Sequence, residues 1–314
     1  MKYLVTGGVG FIGSNVAASL LKDGHHVTLY DNLSRPNVYK NLMWLILKNT
    51  RVKFVQGNVE DQEKIEQLVR DLDIDVIFHF ASQVGVTASI LDPRFDFNSN
   101  VVGTFNVLEA ARKSPKKPMV IFASTNKVYG DIEVNEPISE KQPLSFCTPY
   151  GCSKGAGEQY VLDYSRVYSI PMVVLRMSCI YGTRQWGTEE QGWLAHFMFS
   201  KHENKPITIY GDGSQVRDVL FIDDYVRLCR MLVENKDKVL GEAFNIGGGD
   251  KNKISVLEAV KKIGNEYKFD DWRPSDQRFY VSNLEKINRF IGWSPQIGVE
   301  EGLKRLEMWC KQAR

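Results

Sequence analysis

Apolar runs short enough to cross one sheet alternate along the first half of the chain with amphipathic stretches and turn residues. Lys2-Tyr-Leu-Val-Thr6 reads as a buried strand. From about Ser14 to Lys22, Val16, Ala17, Leu20 and Leu21 fall at helical spacing, and Gly24 supplies the stop. His26 to Tyr30 is again a strand, ending on Asp31. The alternation continues with strand over 52–56, helix over 62–72, strand over 75–80, helix over 101–113 with Asn100 before it, and strand over 119–123. Leu42 to Leu47 is apolar throughout and predicts a buried helix. Strands and helices in strict alternation imply an α/β fold with a doubly wound parallel sheet, whose ligands bind at the carboxyl ends of the strands.

Past Arg176 the pattern breaks. Thr208 to Ser214 reads as strand then turn, Gln215 onward leads into an amphipathic helix through Val233, and Ala243 to Gly249 is a strand and turn. Ile291-Gly-Trp-Ser-Pro and a closing helix complete a smaller α+β lobe. The expected division is 1–175 for dinucleotide binding, with a return segment about 213–240, and 176–212 with 241–314 for the substrate. No repeat, low-complexity segment or long linker separates the two, so they are expected to share one interface.

Composition narrows the function classes. The 314 residues are 43% hydrophobic and 25% charged with a net charge of +2, which favours neither a nucleic-acid nor a membrane partner. Five scattered cysteines without a C-x-x-C pair suit a reducing compartment, and neither they nor the five histidines have metal-ligand spacing. No metal is expected. With no apolar stretch of membrane-spanning length and no signal-like N-terminus, the expected location is the cytoplasm.

Candidate chemistry starts at the first strand. Gly7-Gly8-Val9-Gly10-Phe11-Ile12-Gly13 lies between strand and helix. Glycines at 7, 10 and 13 permit a tight turn, close approach to a pyrophosphate and close helix–sheet packing, with the amides of Phe11 and Ile12 at the helix N-terminus. Asp31, with Asn32 beside it, stands where a carboxylate binds ribose hydroxyls, which favours NAD over NADP. Asn58 and Val59 are placed to hold an adenine edge. Phe80-Ala81-Ser82-Gln83 and Asn100 complete the candidate cofactor set at strand ends. His79, inside an apolar strand, reads as a core histidine. Tyr150-Gly-Cys-Ser-Lys154, preceded by the cap Thr148 and by Pro149, places a phenol and an ammonium one helical turn apart. A nearby Lys favours the phenolate, giving a base that works near neutral pH.

Thr6 to Gly13, Asp31, Ser124-Thr125 with Val128-Tyr129-Gly130, and Tyr150 to Lys154 together resemble the extended short-chain dehydrogenase/reductase superfamily over essentially the whole chain. The resemblance implies a Rossmann fold, bound NAD, Tyr150 as acid/base, Lys154 lowering its pKa and holding the nicotinamide ribose, and Thr125 bonding the reacting sugar hydroxyl. It also implies a homodimer built on two helices of the first lobe. Nucleotide-sugar 4,6-dehydratases carry Asp-Glu after that Thr; here the pair is Asn126-Lys127, which argues against dehydration. Ser124 to Gly130, Tyr150 to Ala156, 181–185 with 191–193, 215–220 and 275–278 instead resemble the CDP-tyvelose (CDP-paratose) 2-epimerases. An Asn usual near Cys179 in UDP-galactose 4-epimerases is absent.

By that resemblance the substrate is a nucleotide-diphosphate sugar, oxidised to a ketosugar, turned in the pocket and reduced on its other face. Thr125, Asn126, Cys179 and Gln191 are the candidate sugar contacts, Gln185 and Trp193 further ones, and Arg217 and Arg278 the candidate diphosphate contacts. A UDP-hexose 4-epimerase, a net reductase and a non-catalytic NAD-binding scaffold remain the alternatives.

Overall fold

Four of the five strands of the first half are buried over most of their length, while residues 52–56 at the sheet edge stay half-exposed. In the computed structural model, which describes residues 1–47, 49–132, 135–273 and 277–313, the chain runs β1 (Lys2–Thr6), α1 (Phe11–Lys22), β2 (His26–Asp31), α2 (Val38–Ile46), β3 (Val52–Gln56), α3 (Gln62–Asp71), β4 (Val76–His79), α4 (Val86–Leu91), α5 (Pro93–Phe97), α6 (Gly103–Lys113), β5 (Met119–Thr125), α7 (Pro149–Tyr168) and β6 (Met172–Met177). There follow β7 (Cys179–Tyr181), α8 (Trp193–His202), β8 (Ile207–Tyr210), β9 (Val216–Phe221), α9 (Ile222–Glu234), β10 (Glu242–Ile246), β11 (Lys253–Ser255), β12 (Tyr267–Asp270) and β13 (Phe279–Tyr280).

Seven parallel strands form the main sheet in the order β10-β6-β5-β4-β1-β2-β3. Every residue of β4 and β5 is buried, as strands sandwiched between helices require. Register aligns the carboxyl ends: Thr6 lies opposite Tyr30 and His79, and His79 opposite Phe122. The turns after β1, β2, β4 and β5 therefore open onto one edge. His79 is the core histidine expected, its Nδ1 2.7 Å from Thr6 Oγ1 and its Nε2 3.1 Å from Thr104 Oγ1.

Beside this sheet stand a small one, β11-β9-β13 with β7 on β9, and the pair β12-β8. Residues 242–246, expected in the second lobe, form β10 at the edge of the main sheet against β6. Within the return segment, β9 belongs to the small sheet, whereas α9 packs on α1. Such pairings are long-range, and local pattern does not reveal them. Two further corrections concern helices. In α2 only Val38, Asn41 and Leu45 are buried, and Met43, Ile46 and the following Leu47 face outward, so the apolar run is not a buried helix. The helix expected from residue 101 begins at Gly103, after a π-helical turn over Asn98–Val102 that takes in Asn100.

Candidate active site

The glycine turn is shaped for close approach. Gly7 has φ of 65°, and a methyl group there would meet the Ala81 amide nitrogen at 2.7 Å. A methyl group on Gly13 would strike the Gly7 carbonyl oxygen, while one on Gly10 would meet only that oxygen, at 3.2 Å. Gly10 caps α1 without a side-chain bond and no acid occupies the first turn, so the helix amides present an open anion site. At the end of β2 the Asp31 carboxylate accepts from the Val9 amide at 3.2 Å and the Leu33 amide at 2.9 Å. Burial raises its pKa, and those amides oppose the rise. Asn58 takes the Tyr30 hydroxyl on its carbonyl at 2.8 Å, with Val59 buried beyond it. An anion site at a helix start, a carboxylate one strand over and an apolar rim fit a dinucleotide with unphosphorylated ribose.

At the next strand end, Asn100 joins the loop after β4 to α7. Its side-chain oxygen accepts from the Gln83 amide at 2.9 Å, and its nitrogen donates to the Gln83 carbonyl at 3.1 Å and to Ser153 Oγ at 3.0 Å. Gln83 in turn donates to the Gly85 carbonyl at 2.8 Å. Phe80, Ala81 and Ser82 are half-buried around the Gly7 turn.

Helix α7 starts as its sequence dictates. Thr148 accepts the Gly151 amide at 3.1 Å and Pro149 fills the first turn. Tyr150 and Lys154 are 8% and 3% exposed. The Thr125 hydroxyl, at the end of β5, accepts the Lys127 amide at 3.2 Å. Lys154 Nζ lies 4.4 Å from the centre of the Phe122 ring on the same strand. Burial pushes Tyr150 up to about 12, helped by Asp96 and opposed by Thr125 and Arg35. Burial pushes Lys154 down to about 7, against Asp96 and Glu158. Desolvation dominates the phenol, and the Arg35 charge works in favour of the phenolate.

Of the substrate candidates, Thr125 and Asn126 stand at the end of β5, Cys179 at the start of β7 and Arg217 on β9, which pairs with β7. Asn126 donates to Gln277 at 2.9 Å, Gln277 to the Gly130 carbonyl at 2.6 Å, and Arg217 to the Gln277 carbonyl and to the Val216 carbonyl. Burial raises the Cys179 thiol, with Arg217, Trp193 and Lys127 opposing. Arg278, whose carbonyl accepts from the Val216 amide at 3.0 Å, is exposed and stacked on Trp272, with its charge felt by Asp212. Ser275 and Asp276 lie outside the described residues. Gln191 is exposed on the loop before α8. Gln185 is buried and bonds the Ile180 carbonyl at 3.2 Å.

Sequence reading missed three participants. Arg35, in the loop after β2, is exposed over the residue as a whole, and its guanidinium charge is felt by Tyr150 and Glu190. Nothing distinguishes it locally from a solvated loop cation. Asp96 reads as an ordinary acid in a helical first turn, yet it is 1% exposed and faces Lys154. Glu158, one turn beyond Lys154, is fully buried and gripped by Arg176 at 2.7 Å. Four-residue spacing from Lys154 was the available signal.

The sequence profile described as GDP-mannose 4,6 dehydratase matches residues 4–306. The CDP-paratose 2-epimerase of Salmonella typhi is 40% identical, covering 98% of this chain and 99% of the relative. The structure of UDP-glucose 4-epimerase from Thermotoga maritima with UDP-glucose aligns at a TM-score of 0.92 and 32% identity, over 100% of this chain and 99% of that one. UDP-glucuronic acid 4-epimerase from Bacillus cereus, in complex with UDP-glucuronic acid and NAD, aligns at 0.90 and 30% over 100% of both chains. The glycine cradle, Asp31 and the Tyr150–Lys154 pair thus occur in a chain alike from end to end to NAD-bound relatives, and the protein belongs to the NAD-dependent nucleotide-sugar epimerase/dehydratase family of extended short-chain dehydrogenases/reductases.

Proposed function

We propose that the protein is a nucleotide-sugar epimerase that inverts carbon 2 of a CDP-linked dideoxyhexose, in the manner of a CDP-paratose 2-epimerase. The observation that carries this reading is the neighbourhood of Thr125. The residue after it, Asn126, is an amide tied to Gln277, so the position holds no acid for eliminating water. The relative at 40% identity supports the choice of base and carbon.

The first lobe holds NAD through the turn Gly7 to Gly13, through Asp31 with Asn32, and through the strand ends that carry Asn58, Phe80 to Gln83 and Asn100. When bound, NAD supplies the chemistry of accepting a hydride from a sugar carbon and giving it back. Tyr150, as phenolate, takes the proton of the sugar hydroxyl, and the Thr125 hydroxyl holds that oxygen while the carbonyl forms. Lys154 and Arg35 supply positive charge beside the phenolate. The ketosugar turns over while its diphosphate stays at Arg217, and Tyr150 returns the proton to the oxygen on the inverted carbon. Holding the diphosphate keeps the reacting carbon at high effective concentration through the turn. Likeness to UDP-glucose 4-epimerase favours a second reading, inversion at carbon 4 of a UDP-hexose.

Offering the purified protein CDP-, GDP-, UDP- and dTDP-sugars and following products by NMR tests the proposal. Inversion at carbon 2 of a CDP-sugar is expected. Inversion at carbon 4 alone, or a 4-keto-6-deoxy product, overturns it. The same reading includes a homodimer, supported by exposed Phe105, Tyr160 and Tyr168 along α6 and α7, where Phe105 packs edge-on against Tyr160.

A further inference from the structure

Two asparagines tie the glycine turn to a loop distant in the chain. Asn15 Nδ2, on α1, donates to the Phe11 carbonyl at 2.8 Å and to the Thr183 carbonyl at 3.0 Å. Asn41 Nδ2, on α2, donates to the Val9 carbonyl at 3.1 Å and to the Arg184 carbonyl at 3.2 Å. Consecutive carbonyls of the loop joining β7 to α8 are thus bound to the cofactor motif, each through one amide group. Asn41 is fully buried, and its Oδ1 also accepts the Trp186 indole N–H at 3.1 Å. A buried amide with every bond made fixes geometry and is costly to lose.

The loop on the other side of these bonds is anchored in its own right. Trp186 stacks on Phe199 of α8 with ring centres 5.8 Å apart, and meets Trp309 of the C-terminal helix (Val299–Gln312) edge-on at 5.2 Å. Two cations lie along the same seam: Lys40 Nζ is 4.5 Å from the Trp186 ring centre, and the Arg184 guanidinium is 4.1 Å from that of Trp44. Arg184 has φ of 68°, a left-handed backbone that an ordinary residue keeps only where its surroundings hold it. Further along, Glu190 Oε2 comes within 3.5 Å of where a methyl group on Gly85 would stand. The loop therefore runs from the turn after β1 to the loop after β4, across strand ends that carry candidate cofactor residues, and it bears Gln185 and Gln191.

We propose that Asn15 and Asn41 are positioning residues that latch the loop 183–192 onto the cofactor turn, so that bound NAD leaves only when the latch opens. The inference deepens the epimerase reading and rests on NAD lying in the turn Gly7 to Gly13. A protein that takes a hydride and returns it to the same sugar needs its cofactor to stay through the ketosugar stage. The latch supplies that retention and fixes the distance from the turn to the loop residues beside the sugar. Its chemistry requires an amide: one nitrogen bridges two carbonyl oxygens, whereas a carboxylate there would repel both.

The test needs no sugar. Protein loaded with NADH is mixed with excess NAD, and the change in NADH fluorescence gives the release rate. Asn15→Ala and Asn41→Ala should each release NADH roughly tenfold faster or more. Hydrogen exchange read by mass spectrometry adds a signature that packing alone would not give. NADH should slow exchange over 183–192 in the wild type, and in both variants that protection should be lost while protection over 7–13 remains. Release at the wild-type rate, or faster release with 183–192 still protected, makes the two asparagines packing residues and overturns the proposal. If Asn41→Ala does not fold, the half-buried Asn15 carries the test through Asn15→Ala with the same outcomes. Wild-type protein that takes up no NADH would overturn the cofactor reading itself. Inversion at carbon 4 in the sugar panel would overturn the carbon-2 reading alone, since the release rates involve no sugar.

Discussion

Arg176 at the end of β6 grips the Glu158 carboxylate with Nη2 at 2.7 Å and Nε at 3.1 Å, so the helix carrying Tyr150 and Lys154 is bolted to the sheet one turn past the lysine. The pair extends outward: Arg176 Nη1 donates to the Tyr129 hydroxyl at 2.9 Å, and that hydroxyl to Asn245 on β10 at 2.7 Å. Two sheet strands, the turn after β5 and helix α7 thus share one buried polar network.

Removing one partner strands a buried charge. Glu158→Ala or Arg176→Ala should destabilise the fold by about 3–5 kcal/mol, and the double variant by less than the sum. Urea unfolding of the three variants checks this; additive losses would show that the pair is not coupled.

The cofactor turn makes a second demand. Gly7→Ala places a methyl group against the Ala81 backbone at a φ of 65°, a conformation that costs an ordinary residue about 1–2 kcal/mol. NAD affinity should fall roughly tenfold or more, by fluorescence titration, with helical content by circular dichroism unchanged. Wild-type affinity in this variant would place the pyrophosphate elsewhere.

Acid sensitivity should come partly from His79. Burial, with the Lys154 charge adding to it, pushes its imidazole down to about 3 from the ordinary 6.5. The unfolded chain takes up a proton between those values that the folded chain refuses. The stability tied to neutral His79 is therefore complete above the ordinary value and is lost as pH falls through the window, by at most about 1.4 kcal/mol per pH unit. His79→Gln should flatten the fall in unfolding free energy between about pH 6 and 4, measured by urea titration at fixed pH steps.

Burying Phe105, Tyr160 and Tyr168 against a second copy leads to an expectation about assembly. Tyr160→Glu puts a charge into that face and should shift the protein toward monomer in sedimentation velocity, at unchanged far-ultraviolet dichroism. An unaltered sedimentation coefficient would place any dimer contact on another face.

Local chemistry made the first half readable. β1 and β3 begin and end where their apolar runs do, and Thr148-Pro149 marks the start of α7 because capping depends on adjacent residues. What escaped depends on partners distant in the chain. β10 is a strand by pattern, but only pairing with β6 decides its sheet. Leu42 to Leu47 is apolar without saying which side meets the core, and the π-helical turn that aims Asn100 has no propensity signal. At the site, Tyr150 and Lys154 stood out by their helical spacing and Thr125 through the family resemblance. Asp96 and Arg35 were not, because a single charge in a helical turn or loop gives no local sign of its burial or of neighbours distant in the chain.

The most direct measurement of the account follows one hydrogen. A CDP-linked dideoxyhexose carrying deuterium at carbon 2 is converted by the NAD-bound protein in ordinary water, and the product is read by NMR and mass spectrometry. Transient oxidation at carbon 2 predicts a product inverted at that carbon with its deuterium retained. Loss of the label to solvent, or inversion at carbon 4 with carbon 2 untouched, would contradict it.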